Sequence, residues 1–146
     1  MADALRCAVL CMAHDHLWGN LNELAALPDV ELLAGADYNP ALRQRFTERS
    51  GCDKVYGHYE ALLDAENPDA VLVFSATAGH ADIVELCAER GLPVLVEKPM
   101  AATLEQASRM LTAAHRHDTL LMINWPTAWN RAYARLTASA RKAPSA

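Results

Sequence analysis

No run of lysine or arginine interrupts this sequence; its 13 basic residues are scattered, and the one adjacent pair is Arg141-Lys142. Against 18 acidic residues they leave a net charge of −5, which argues against a nucleic-acid partner and against an anionic membrane surface. No apolar run approaches the ~18–20 residues that a membrane helix needs. The run nearest the N-terminus, Cys7 to Ala13, is short for a signal peptide and meets His14-Asp15-His16, so it reads as a first strand. No C-x-x-C spacing occurs among Cys7, Cys11, Cys52 and Cys87, and free thiols in a reducing cytoplasm are expected rather than disulfides. Repeats and low-complexity tracts are absent as well. What is present, 52% hydrophobic and 21% charged residues over 146 positions, suits one soluble globular domain with a real core.

Short apolar runs alternate with helical periodicity along the chain. Strands are expected at Leu5–Leu10, Val30–Ala36, Lys54–Tyr56, Val71–Ser75, Val94–Val96 and Leu120–Ile123. Between them, Leu17, Leu21, Leu24, Ala25 and Leu27 recur at helical spacing. Asn39-Pro40 opens a second helix that Gly51 stops, and His58 to Asp64 forms a third. His80 to Arg90 turns Ile83, Val84, Leu86 and Cys87 inward, with Gly91 as its stop. Thr103 caps a further helix whose apolar stripe is Leu104, Ala107, Met110, Leu111 and Ala114. Strands separated by helices, without hairpin signals, predict a doubly wound α/β domain: a Rossmann-type parallel sheet of about six strands, covered on both faces. Residues 1–125 form that domain. Residues 126–146 form a helical stub, with Trp129, Ala132, Tyr133 and Leu136 as its stripe.

Ligands in such sheets sit at the carboxyl ends of the strands, and there the chain concentrates its charge. Glu97-Lys98-Pro99 follows the run Leu92-Pro93-Val94-Leu95-Val96, and proline prevents that strand from simply continuing. Taken alone, this is either an ordinary charged strand end or one side of a ligand cleft. Asp37 ends the second strand, 24 residues after Ala13. An acid there either starts a helix or accepts hydrogen bonds from an adenosine ribose, and its charge would repel a 2′-phosphate. A glycine-rich turn would normally precede the first helix. Here the turn is Cys11-Met12-Ala13-His14-Asp15-His16, with no glycine before Gly19. Ala13 permits fairly close backbone approach at the second glycine position, while His16 departs from the pattern at the third. The H-x-H of His14 and His16 has a rival meaning, the opening of a metal-dependent hydrolase site. His80, after Ser75-Ala76-Thr77-Ala78-Gly79, either caps its helix or faces the cleft beside Lys98.

Together these residues resemble the N-terminal domain of the Gfo/Idh/MocA family of oxidoreductases, from about Leu5 to Arg131. The most specific part is Gly91 to Ala101, similar to the family's G-x-x-V-x-x-E-K-P-x-A, followed by a T-x-x-x-A helix at Thr103 and Ala107. Asp69-Ala70-Val71 and the loop to His80 resemble its D-A-V strand and (T/S)-P-x-x-x-H loop, with Ala76 where proline is usual. Asn124 matches the asparagine that commonly ends its sixth strand. The resemblance implies an NAD(P)-dependent oxidoreductase acting on a sugar, polyol or related hydroxyl compound, and the charge of Asp37 favours NAD over NADP. It assigns Lys98 a catalytic positioning and proton-relay role. It assigns cofactor contacts to the turn Cys11–His16, to Asp37, to Ser75, Ala76, Thr77 and His80, and to Glu97, Lys98 and Asn124. It also implies a second domain supplying the substrate pocket and the principal histidine acid/base, from the full protein or a partner chain, with homo-oligomers common. A nucleotide-binding or regulatory module without turnover is the alternative from another class. No resident metal is expected.

Overall fold

The computed structural model describes residues 4–126. Six strands and five helices alternate along it: β1 (Leu5–Leu10), α1 (Asp15–Ala25), β2 (Val30–Ala36), α2 (Pro40–Ser50), β3 (Val55–Tyr56), α3 (Tyr59–Glu66), β4 (Ala70–Val73), α4 (His80–Ala88), β5 (Val94–Glu97), α5 (Leu104–Arg116) and β6 (Leu121–Asn124). A single turn of 3-10 helix, Thr77–Gly79, leads into α4. The strands form one sheet in the order β3-β2-β1-β4-β5-β6, and every neighbouring pair is parallel. Strand order therefore reverses between β1 and β4, which opens a crevice at their carboxyl ends. The expected stub helix, Trp129 onward, lies outside the described residues.

Local chemistry starts and stops these elements. Asn39 accepts a hydrogen bond from Ala41 N–H (2.9 Å), Pro40 takes the first helical position, and Gly51 ends α2 with φ +72°, a left-handed conformation that glycine adopts without strain. Thr103 Oγ1 accepts from Gln106 N–H (3.2 Å) while the Gln106 side chain accepts from Ala102 N–H (3.1 Å). Two orphan donors at the start of α5 are thereby satisfied, close to a capping box.

The two faces of the sheet bury separate clusters. Leu10, Val71, Val73, Val94 and Val96 pack with Leu62 of α3, Val84 and Cys87 of α4 and Met110 of α5. On the other face Val9 and Met12 meet Leu17, Trp18 and Leu21 of α1 and Phe46 of α2. Each fully buried side chain of this size stabilises the fold by roughly 1.5–3 kcal/mol.

Two helix stripes differ from their periodic expectation. In α1 the inward residues are Leu17, Trp18 and Leu21, while Leu27 is half exposed. Trp18 is held from α2, because the Arg45 guanidinium lies 4.1 Å from its ring centroid and Arg49 donates to its carbonyl (3.1 Å). In α5 Met110 and Ala114 are buried, but Leu104 is 84% exposed and Leu111 also faces out. On its exposed flank Arg109 reaches across to α4, to Asp82 (2.7 Å) and to both oxygens of Glu85. Coverage is also uneven. Among the described residues a groove of ≈ 300 Å³ stays open along α1, floored by Leu72 and Leu95.

Candidate dinucleotide site

The crevice between β1 and β4 gathers most of the residues that sequence patterning singled out. At its floor Cys11 has φ +62°. The chain thus keeps the left-handed turn of a glycine position while carrying a side chain there, at a cost on the order of 1 kcal/mol. Cys11 N–H donates to Ala36 carbonyl (2.9 Å). Burial raises its thiol above the ordinary value of 9.0, so the sulfur stays neutral and packs beside Tyr59 rather than acting as a nucleophile. Met12 turns away from the crevice: its side chain is wholly buried in the core with Phe46 and Leu17.

Asp37 is 5% exposed and both its oxygens are engaged by backbone donors, Met12 N–H to Oδ2 and Asn39 N–H to Oδ1, each at 2.7 Å. Every carboxylate oxygen accepts more than one hydrogen bond, so capacity for a ligand hydroxyl remains. Arg43, one turn into α2, donates to the carbonyls of Asp37 (2.7 Å) and Tyr38 (3.2 Å). Its charge is fastened behind the acid.

Beside Asp37 opens a cavity of ≈ 620 Å³ whose wall includes Cys11, Ala13, Tyr38, Tyr59, Ser75 and Ala76. Tyr38 and Tyr59 meet with ring centroids 4.6 Å apart. Sequence reasoning missed both tyrosines. Their signal was present, since Tyr38 directly follows Asp37 and Tyr59 opens the helix after β3. The two tyrosine rings offer a stacking wall that suits a purine base, while Glu60, Asp82, Glu85 and Glu89 make the rest of the lining acidic.

The turn entering α1 is less open to an anion than a glycine turn. His14 caps the helix, its Nδ1 accepting from His16 N–H (3.2 Å), and His14 N–H donates to Phe74 carbonyl (2.9 Å). Exposed Asp15 adds an acid to the first turn, where a second negative group is disfavoured. Ala13 is exposed and leaves the backbone approachable.

Across β4, the second half of the site is built on Glu97. Its side chain is 1% exposed, and three groups converge on it: Asn124 Nδ2 donates to Oε1 (2.5 Å), Lys98 N–H donates to Oε2 (3.1 Å), and His16 Nδ1 lies 3.1 Å from Oε2. β5 and β6 run in register, with Glu97 opposite Asn124, which explains the asparagine contact. Lys98 is partly exposed, and its ammonium forms no ion pair among the described residues. The Lys98–Pro99 peptide is cis.

His80 sits elsewhere. It is fully buried, with Nε2 3.2 Å from the Ser75 carbonyl and Nδ1 3.1 Å from the Met100 carbonyl. It ties the loop after β4 to the loop after β5 and neither caps α4 nor reaches the cavity. Ser75 is buried with its hydroxyl turned to Ala76 carbonyl (3.2 Å), and Thr77 begins the 3-10 turn. Only His14, His16 and Glu97 group closely enough to hold a metal among the described residues.

Comparison with known proteins places this geometry. The model of an oxidoreductase family, described as the NAD-binding Rossmann fold of the Gfo/Idh/MocA group, matches residues 12–125. The dTDP-3,4-didehydro-2,6-dideoxy-α-D-glucose 3-reductase of Streptomyces antibioticus is 37% identical over 121 residues, covering 83% of this chain and 37% of that protein. A 3-ketoreductase from Actinomadura kijaniata, solved with NADP and TDP-benzene, is 30% identical with a TM-score of 0.83 over 96% of this chain and 43% of that one. The WlbA dehydrogenase of Chromobacterium violaceum, solved with NADH and UDP-GlcNAcA, has a TM-score of 0.86 at 23% identity, covering 97% of this chain and 41% of that one, and supports the fold alone. The chain spans about two fifths of the length of these relatives. Through its matched dinucleotide-binding fold, the chain belongs to the Gfo/Idh/MocA family of oxidoreductases.

Proposed function

We propose that these residues form the NAD-binding part of an oxidoreductase acting on a sugar, polyol or related hydroxyl compound. The observation that carries the reading is the convergence of Asn124, Lys98 and His16 on the buried carboxylate of Glu97, across β4 from a cavity walled by Cys11, Tyr38 and Tyr59. A dinucleotide laid over the strand ends has its adenosine in that cavity and its nicotinamide beside Glu97.

NAD is favoured over NADP for two reasons. The Asp37 carboxylate opposes a 2′-phosphate, and Nη1 of the neighbouring Arg43 is already engaged by the Asp37 and Tyr38 carbonyls. Contacts to the cofactor come from Asp37, from the backbone of Cys11 and Ala13, from the Ser75–Thr77 loop, and from Glu97, Lys98 and Asn124. His80 acts through the loops it joins, and Met12 through its amide.

The nicotinamide, when bound, supplies the hydride acceptor. The chain's own residues orient and move a proton. Glu97, fixed from three sides, positions a ribose hydroxyl. The Lys98 ammonium, free of any carboxylate among the described residues, holds the substrate oxygen and relays the proton that leaves as the hydride departs. The principal acid/base and the substrate pocket belong to a second domain, as the resemblance implies, so turnover is a property of the larger assembly. A cytoplasmic, reducing location fits the four free cysteines.

Calorimetric titration with NAD and NADP tests the reading. One NAD per chain, bound more tightly than NADP, supports it; no heat from either at millimolar concentration overturns it.

A further inference from the structure

His14, His16 and Glu97 each bring one ligand atom to within 4.8 Å of the other two. The proposed hydride transfer gives the His14 ring no task and the His16 ring only its contact with Glu97. The two histidines lie in the turn between β1 and α1, whereas Glu97 comes from the end of β5, two strands away in the sheet. The buried carboxylate has one ionisable side-chain partner among the described residues, the His16 ring, which is 38% exposed and charged only when protonated. A carboxylate removed from water needs hydrogen bonds and a compensating cation to stay charged, and a bound divalent ion supplies the second at neutral pH.

We infer that His14, His16 and Glu97 form a binding site for a divalent transition ion of the Zn²⁺ class. Two imidazoles and a carboxylate are the donor set that suits Zn²⁺, Co²⁺ or Ni²⁺, whereas Mg²⁺ and Ca²⁺ demand oxygen ligands. Ligand atoms at ~2.0–2.2 Å around a tetrahedral ion stand about 3.3 Å apart. The widest ligand separation therefore has to contract by up to about 1.5 Å, which the two partly exposed rings achieve by side-chain rotation. Glu97 need not move. Asn124 and the Lys98 N–H already orient its two oxygens, as outer partners orient the ligands of metal sites. Loading exchanges the His16–Glu97 contact and the 3.2 Å cap bond to His14 for coordinate bonds, and three protein ligands leave the fourth position to water.

The test is a Zn²⁺ titration of the untagged 146-residue chain at neutral pH, without nucleotide, so its outcome is independent of the dinucleotide reading. The expected result is one ion per chain at micromolar affinity or better. Co²⁺ should give visible d–d bands of four- or five-coordinate intensity, without a thiolate charge-transfer band. His16→Ala and Glu97→Gln should each weaken binding by about 100-fold or more, since even outer partners contribute roughly 10–100-fold. His117→Ala, on the far helix end, should leave binding unchanged. If Glu97→Gln loses its helical circular dichroism, partly exposed His16→Ala decides. Binding no tighter than millimolar, unchanged affinity in His16→Ala, or a thiolate band that places the ion on cysteine would overturn the site.

Discussion

Replacing Asp37 with asparagine separates its two jobs. Both carboxylate oxygens accept backbone N–H groups at 2.7 Å, from Met12 and from Asn39. An amide offers one acceptor oxygen and one donor NH₂, so whichever way the side chain turns, one backbone donor faces another donor. The Met12 amide is buried and the Asn39 amide only partly so, and the side chain will turn to keep the first. What is lost is one charge-assisted hydrogen bond, about 1.5–3 kcal/mol. For a domain of this size that is a fall in melting temperature of roughly 6–10 °C. The same change weakens the acceptor for the adenosine ribose and removes the charge that opposes a 2′-phosphate. The preference for NAD over NADP should therefore fall about tenfold, the equivalent of ~1.4 kcal/mol. Differential scanning fluorimetry reads the first effect and calorimetry with both dinucleotides the second. A variant that melts with the parent chain and keeps its NAD preference would refute the geometry assigned to Asp37.

Other positions give independent checks. Cys11→Val places a β-branched residue at φ +62° and should cost about 2 kcal/mol more than Cys11→Gly, which fits that backbone without strain; urea unfolding compares the two. Gly35→Ala would put its Cβ 2.6 Å from Met12 Cε and 2.7 Å from Phe46 Cε1. The core must shift, with a loss of about 1–3 kcal/mol in the same assay. Tyr56 and Lys54 hold the Glu66 carboxyl below its ordinary 4.5. A depressed folded value contributes stability that is complete above 4.5 and is lost as pH falls through the lower folded value. Urea midpoints of Glu66→Gln should accordingly fall less steeply than the parent's below that pH.

Strand identity was the most legible part of the sequence. Leu5–Leu10 and Val30–Ala36 match β1 and β2 end to end, because a strand buried on both faces is a continuous apolar run with no competing period. Helix faces were less legible. Leu104 and Leu111 share a periodic stripe with Met110, yet packing against α4 and the sheet buries Met110 and leaves both leucines facing out, and the α4 residues that Arg109 reaches lie 24 to 27 positions away. Asp37, Glu97 and Asn124 read from sequence as strand-end residues, and they stand at the carboxyl ends of β2, β5 and β6. The pairing of His16 with Glu97 spans 81 residues and arises only when β1 and β5 flank β4. His80 reads from sequence as either a helix cap or a cleft residue, because it opens a helix at a strand end. The fold instead spends both its ring nitrogens on carbonyls of two loops. The positive φ of Cys11 was signalled by its alignment with the first glycine of a dinucleotide turn, not by the residue itself, since only glycine advertises that conformation.

Isothermal titration of the chain with NAD, followed by NADP, measures the central claim most directly. The account predicts one NAD per chain and weaker NADP, with Asp37→Asn narrowing the gap. Equal binding of the two would contradict the role given to Asp37, and no binding of either at millimolar concentration would contradict the dinucleotide site itself.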